Sequence, residues 1–333
     1  MIWTYRTAVS IALIAALFVI NWALDAFVIE YVVRIILQCG INAILAVGLN
    51  LINGTTGQFS LGHAGFMAVG AYATAFAVIH LESGLGFSAS NIPAPWMQGL
   101  LLSVGLLFGA LFAGLAGLLV GAPSLRLRGD YLAIVTLGFA EIIRLIFTNT
   151  EALGGATGYS GGRPLGLPVY TNFFWVFLWA ILLITLIGNF TFSSYGRALR
   201  AIREDEIATE ALGINTTRMK VLASVISAAA VGVAGGLFAH LMGTIRPDDF
   251  KMDRSVAMIV MILIGGLGSV SGAIIGAIFV AVTLEAMRDI QQYRLLAYSL
   301  LLIGLMIARP QGLLGSRELR LPAFLRRKRG GAA

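Results

Sequence analysis

The chain is poor in charge. Of its 333 residues only 12% are Asp, Glu, Lys or Arg, while 58% are hydrophobic and the mean hydropathy is +0.89. Soluble globular domains carry about a quarter of their residues as charges, so a water-soluble globule is excluded. Cysteine is nearly missing: Cys39 stands alone, which rules out an intrachain disulfide and any cysteine-based metal site. Lysine is almost as scarce. Lys220, Lys251 and Lys328 are followed by Val, Met and Arg, so no Gly-x-x-x-x-Gly-Lys-Ser/Thr phosphate loop exists and ATP hydrolysis by this chain is excluded. His63 and His240 lie in apolar stretches without Cys, Asp or Glu at ligand spacing, so neither a metal nor another cofactor is expected. The alternating ten-residue pattern of a membrane β-barrel is absent as well.

What the chain has instead is long uncharged runs, several of about 18 to 20 residues or more, the length of a helix that crosses a bilayer. The expected class is an all-α polytopic membrane protein. The run from Ala8 to Leu24 follows Arg6 and has no small-x-small cleavage site before Asp25, so it reads as a first span and not as a signal peptide. Further spans are expected near 33–52, 58–79, 97–121, 131–147, 173–190, 221–242 and 295–307. Ser255 to Leu284 is interrupted at Gly265–Gly272 into pieces too short for easy spans, which predicts a broken or re-entrant pair. Such backbone survives at membrane depth only where protein or a water-filled path covers it.

The net charge of +7 follows from insertion topology and calls for no nucleic-acid partner. Arg6, Arg126, Arg128, the segment 191–220 and the residues from Arg309 onward fall on sides that this topology makes cytoplasmic, while Leu81 to Pro95 have no Lys or Arg and Arg163 falls outside. Residues 1–315 therefore form one membrane domain, and 316–333 form a basic tail with the C-terminus in the cytoplasm.

Segment 191–220 is the only long charged stretch within the apolar chain. Its charges alternate with helix formers, and the apolar pattern breaks between Arg203 and Glu206, so two short helices are expected. Asp205 is the natural N-cap of the second and Gly213 its C′ residue with positive φ. A compact helical knob then projects from the membrane. It reads either as a solvated loop or, through Arg200, Arg203, Glu204, Glu210, Ala211 and Gly213, as a docking element for a partner.

Small residues recur every fourth position: Gly105, Gly109, Ala113, Gly117 and Gly121, then Ser224, Ala228, Gly232 and Gly236, then Gly268, Gly272 and Gly276. This spacing lets helix backbones approach closely in lipid. Gln38, Asn42 and Asn53 fall within about 60° of one another on a helical wheel, a polar stripe that must face the bundle interior or water. With His63 they make a candidate solute path, or they bond neighbouring helices. Glu141 and Arg144, one turn apart, are expected to pair, as a structural bridge or as a contact for a zwitterionic solute. Leu61–Ala71 and Leu267–Ala277 also echo each other, and such Gly-interrupted segments in two halves point to a pathway at their interface. Gly158-Tyr-Ser160-Gly161 has the form of an intramembrane serine protease motif, but Ser160 falls in an external loop.

The stretch Gly48–Tyr72 resembles the signature of M-type permeases of high-affinity branched-chain amino acid ABC importers. So do Leu127–Arg144, Ser194–Arg203, Gly265–Gly276 and Arg309–Gly315, and together they cover nearly the whole chain. Glu210-Ala211-x-Gly213 is similar to the coupling loop of ABC importer permeases. The resemblance implies about eight to ten spans in two pseudo-repeated halves, in a bacterial inner membrane. It also implies an H-type permease partner, two ATPase subunits inside and a solute-binding protein outside. The solute stays open, since permeases for urea, amides and aromatic acids look similar. An ion-coupled secondary transporter is the alternative from another class, though few intramembrane carboxylates, Glu141 and Glu285, are available to it.

Overall fold

A computed structural model describes residues 16–21, 23–24, 26–87, 93–124, 129–161, 166–288, 293–309 and 311–315. Most of the first apolar run, Arg126 and Arg128, Arg163 and the tail 316–333 lie outside the described residues. Among those described, the chain is helical throughout, and the longest extended pairing is an isolated antiparallel bridge between Tyr159 and Ile245.

α1 (Glu30–Asn50) runs without interruption into a π-helical turn, Leu51–Thr56, which ends at Gly57 with φ +72°. Every residue from Gly40 to Thr56 is buried, so this helix is the central post of the bundle. α2 (His63–Gly84) turns back, α3 (Pro95–Ser124) and α4 (Asp130–Asn149) follow, and α5 (Phe173–Phe192) starts at Asn172, whose side chain accepts from Trp175 N at 3.2 Å. Two short helices come next, α6 (Ser194–Glu204) and α7 (Glu206–Ala211), then α8 (Thr216–Met242), capped by Asn215 and stopped at Gly243 with φ +76°. α9 (Met252–Gly265), α10 (Val270–Ala286) and α11 (Arg294–Ala308) complete the bundle.

Among the described residues, six helices are long and apolar enough to cross a membrane: α1 with its π turn, α2, α3, α4 from Tyr131, α5 and α8. α9 and α10 form the broken pair that the glycines predict, bent by 120°. The bend sits at Gly266 and Gly268, with φ of +116° and +85°, and Ser269 caps α10 by accepting from Gly272 N at 3.0 Å. At 1.5 Å per residue neither arm reaches the ~30 Å of a bilayer core unaided. α11 adds a shorter apolar stretch, Tyr298–Ala308.

α2, α3 and α8 pack backbone to backbone. A Cβ on Gly70 would collide with the main chain of Gly232, one on Gly232 would come within 2.9 Å of the Gly109 carbonyl, and one on Gly117 within 2.6 Å of Ala228 Cβ. Dispersion at this range replaces the apolar driving force that lipid removes. By contrast α4 turns Ile134, Ile142, Leu145 and Ile146 outward, as a surface that meets lipid does.

The bundle has two unlike ends. One holds α6, α7, the break at Gly57 and the break at Gly266–Ser269; residues 311–315 return there, with Leu313 N donating to Ile264 O at 2.7 Å. The opposite end holds the loops 150–161 and 166–172, the Tyr159–Ile245 bridge and a 3-10 turn at Pro247–Phe250.

Candidate functional site

The two helix breaks lie side by side, and α6 is fastened across them. Arg203, in the last turn of α6, donates from Nη1 to the Gly54 carbonyl at 2.7 Å. Its stem covers Gly57, where a Cβ would stand 2.7 Å from Arg203 Cγ, and the same nitrogen would meet a Cβ on Gly268 at 3.1 Å. Asn50 joins the breaks directly: Oδ1 accepts from Gly268 N at 2.9 Å and Nδ2 donates to Ser269 O at 3.0 Å. Gly54 must lack a side chain because Asn50 Oδ1 and Gly268 N occupy that space. A buried amide that bonds two main-chain groups of another helix pair is a strong register device, since losing it strands Gly268 N–H and leaves Ser269 C=O only its bond from Ala273 N.

Asn53 is used locally, with Oδ1 accepting from Ser60 N at 3.2 Å, which holds the loop after the π turn. Ser227 donates its hydroxyl proton to Gly48 O at 2.6 Å and lies 2.9 Å from His63 Nε2. That hydroxyl has one proton, so it accepts from His63 Nε2–H, and His63 Nδ1 accepts from Ser60 Oγ at 3.3 Å. Nε2 thereby ties α2 to α8, whose Ser227 reaches α1 in turn, while Nδ1 holds the loop before α2. Further along α1, Asn42 is buried with Oδ1 unpartnered and Gln38 is half-buried. Asn42 and Gln38 thus remain on one side of the post while Asn53 belongs to the break.

In the knob, Asp205 caps α7 by accepting from Ala208 N at 3.0 Å, and Gly213 follows with φ +82°. Arg200 donates to Thr191 O at 3.3 Å and Glu210 accepts from Thr216 Oγ1 at 2.6 Å, so both brace the knob. Lys220, with a side chain only 5% exposed, pairs with Glu206 at 2.7 Å. What points away is Glu204, Ala211 and Gly213, with Ile207 and Leu212 exposed by 69% and 81%. The tip of a charged segment is therefore apolar.

Nearer the loop end, Arg144 Nε donates to Glu141 at 2.8 Å and Arg144 Nη1 lies 3.4 Å from Asp248, which Lys251 also pairs at 3.0 Å. The expected pair thus extends into a four-residue cluster that reaches the Pro247–Phe250 turn. Tyr159 exchanges both backbone hydrogen bonds with Ile245, so the Gly158–Gly161 motif is part of the loop framework. Burial pushes the Tyr159 phenol above its ordinary value. No group of three metal-ligating side chains occurs among the described residues.

Asn50, Ser269, Lys220 and Glu206 were not singled out by sequence. Asn50 had one local signal, a polar residue three before Asn53 in the same Gly48–Gly54 stretch.

A helical bundle whose central post is broken beside a second broken pair, with an amphipathic knob fastened to the first break and lying against the second, has the build of a membrane permease subunit. The chain belongs to the family described as the branched-chain amino acid transport system / permease component, which matches residues 31–309. Among its relatives is the high-affinity branched-chain amino acid transport system permease protein LivM of Salmonella typhimurium. It is 40% identical over 304 residues, covering 82% of this chain and 68% of that protein. LivM of Escherichia coli K12 matches to the same extent, and the permease protein LivH of Salmonella typhimurium is 27% identical over 298 residues, covering 83% of this chain and 92% of LivH. No solved structure matches.

Proposed function

We propose that this chain is the M-type half of an ATP-driven importer that brings branched-chain amino acids into the cell. Membership of the permease family supports the reading, and the observation that carries the coupling is Arg203, which fastens the knob to Gly54 across the two breaks. The knob end faces the cytoplasm, as does the C-terminus, because basic residues gather there. The apolar tip, Ile207, Ala211 and Leu212, seats in a groove of an ATPase subunit, and an H-type permease completes the bundle. A solute-binding protein delivers from the loop end, and Gln38 and Asn42 line the path.

When the motor moves α7, α6 moves with it, and Arg203 passes the displacement to Gly54, Gly57 and Gly268. Glycine breaks are the points where a helix bends at least cost. ATP chemistry belongs to the partners and path geometry to this chain.

The test is leucine uptake in proteoliposomes assembled with an H-type permease, two ATPases and loaded binding protein. ATP-dependent uptake is expected, abolished by Arg203→Ala with all subunits still co-purifying. Uptake that follows a proton or sodium gradient without ATP would sink the proposal.

A further inference from the structure

Arg254 stands in the first turn of α9 with its guanidinium drawn back over the Phe238 ring, 4.8 Å from the ring centre. Its Nε and Nη2 are buried and have no hydrogen-bond partner. These two nitrogens share one edge of the planar group, and their N–H bonds point the same way. That edge is the one that takes both oxygens of a carboxylate side on.

The surroundings fit the same ligand. Asp249 is a nearby negative charge, but it does not reach the Nε–Nη2 edge of Arg254, which stays without a partner. Asp249 itself caps the turn, accepting from Arg246 N at 2.9 Å. The Tyr72 hydroxyl is a second buried polar group with no partner. Phe250 bridges the two, its ring 6.3 Å from Tyr72 and 6.3 Å from Phe238. Buried polar groups in folded proteins are nearly always paired, and an open guanidinium edge in a low dielectric is costly. A ligand site between visits has this form.

We infer that the Nε–Nη2 edge of Arg254 receives the carboxylate of the transported solute, with the Tyr72 hydroxyl beside it and Phe238 and Phe250 as apolar wall. The inference rests on the amino acid import proposed above. A small solute is favoured over an acidic side chain of a docking protein because the edge lies buried beside the Pro247–Phe250 turn. That turn is fastened by the ion pairs of Asp248 with Arg144 and Lys251, whose Asp248 side is 64% exposed. Exposed pairs hold weakly, so the turn is the element that yields to admit solute.

The test uses the complete importer with Arg254→Met, Arg254→Lys and Tyr72→Phe. Leucine uptake, leucine retained per complex after rapid filtration, docking of loaded binding protein and subunit assembly are measured together. Arg254→Met and Arg254→Lys are expected to lose about tenfold or more in uptake and retention, because neither restores the two-nitrogen fork. Tyr72→Phe should lose about threefold, the weight of one hydrogen bond. Docking should be unchanged in all three. Uptake within twofold of the parent in Arg254→Lys overturns the inference, as does a loss confined to docking, which would assign the carboxylate to a partner protein. If Arg254→Met fails to assemble, the Lys and Phe variants decide. A parent that ignores leucine but imports another carboxylate in an Arg254-dependent way removes the proposed solute and keeps the site. A parent that imports a neutral amide regardless of Arg254 removes both.

Discussion

The two ends of the bundle are held by different chemistry. At the knob end, two glycine breaks touch, and the fastening consists of a few directed hydrogen bonds from Asn50 and Arg203. At the loop end, Tyr72 stacks on Phe147 at 4.1 Å, with Tyr159, Phe250 and Phe238 around it, and the loops pair through Tyr159 and Ile245. Directed bonds have one good geometry and fail together when a backbone shifts, whereas an aromatic cluster tolerates sliding. Under the proposed function, the end that would receive force is then the one built to switch, and the end that would receive solute is the one built to deform gradually.

The sharpest way to break this contrast is Asn50→Leu. It strands Gly268 N–H in the interior, at about 1 to 3 kcal/mol, and takes from Ser269 C=O one of its two hydrogen bonds, leaving the one from Ala273 N; uptake should fall below about a tenth of the parent. Thermal unfolding followed by size exclusion reads the stability. Asn50→Asp keeps the acceptor for Gly268 and should lose less; equal loss would remove the two-bond account. Next comes Lys220→Met, which removes from Glu206 an ion pair whose lysine side is buried. About 2 kcal/mol is expected after discounting the part-exposed carboxylate. Lys220→Met combined with Glu206→Leu should regain most of it, and a double variant no better than the single would show that the lysine stem, not the charge pair, matters.

Gly213→Val puts a β-branched residue at φ +82°, costing about 1 to 3 kcal/mol locally, and Ala211→Arg sets a long cation in the apolar tip. Both should insert and assemble with the second permease yet take up little leucine, with ATP hydrolysis no longer stimulated by loaded binding protein. Normal uptake in both returns the knob to a solvated loop. The smallest effect is expected at Tyr159, in the framework of the loop end. The folded pKa of Tyr159 is raised, so its contribution to stability is full below its unfolded value of about 10 and is lost as pH climbs past it. Melting between pH 9 and 11.5 should decline less steeply in Tyr159→Phe, while uptake at neutral pH stays as in the parent. A large neutral-pH defect there would erase the distinction between the ends.

Local chemistry made part of this legible from residues alone. Asp205 as a cap and Gly213 as a left-handed stop are decided within one turn of chain, and the helical ranges follow from apolar run length. The fourfold spacing announced close packing, though not that Gly70, Gly109 and Gly232 meet one another. Asn50 with Gly268, Arg203 with Gly54 and Lys220 with Glu206 join positions far apart or across a turn, and no periodicity encodes such pairs. Asn53 looked like part of a stripe because a wheel assumes one helical pitch, and the π turn at Leu51–Thr56 ends that assumption. Arg254 reads in sequence as one more basic residue on the outer side; only burial sets it apart.

The ridge where α2 and α8 meet at Gly70 and Gly232 closes a genetic route. Most overpacking lesions are rescued by trimming the residue opposite, but here the residue opposite is already glycine and the collision would be with main chain. A methyl group added at Gly70 thus has no second-site revertant across the contact. Suppressors of Gly70→Ala, if any arise, must lie elsewhere and act by shifting a whole helix, so a revertant screen would map which helices are free to move as rigid bodies.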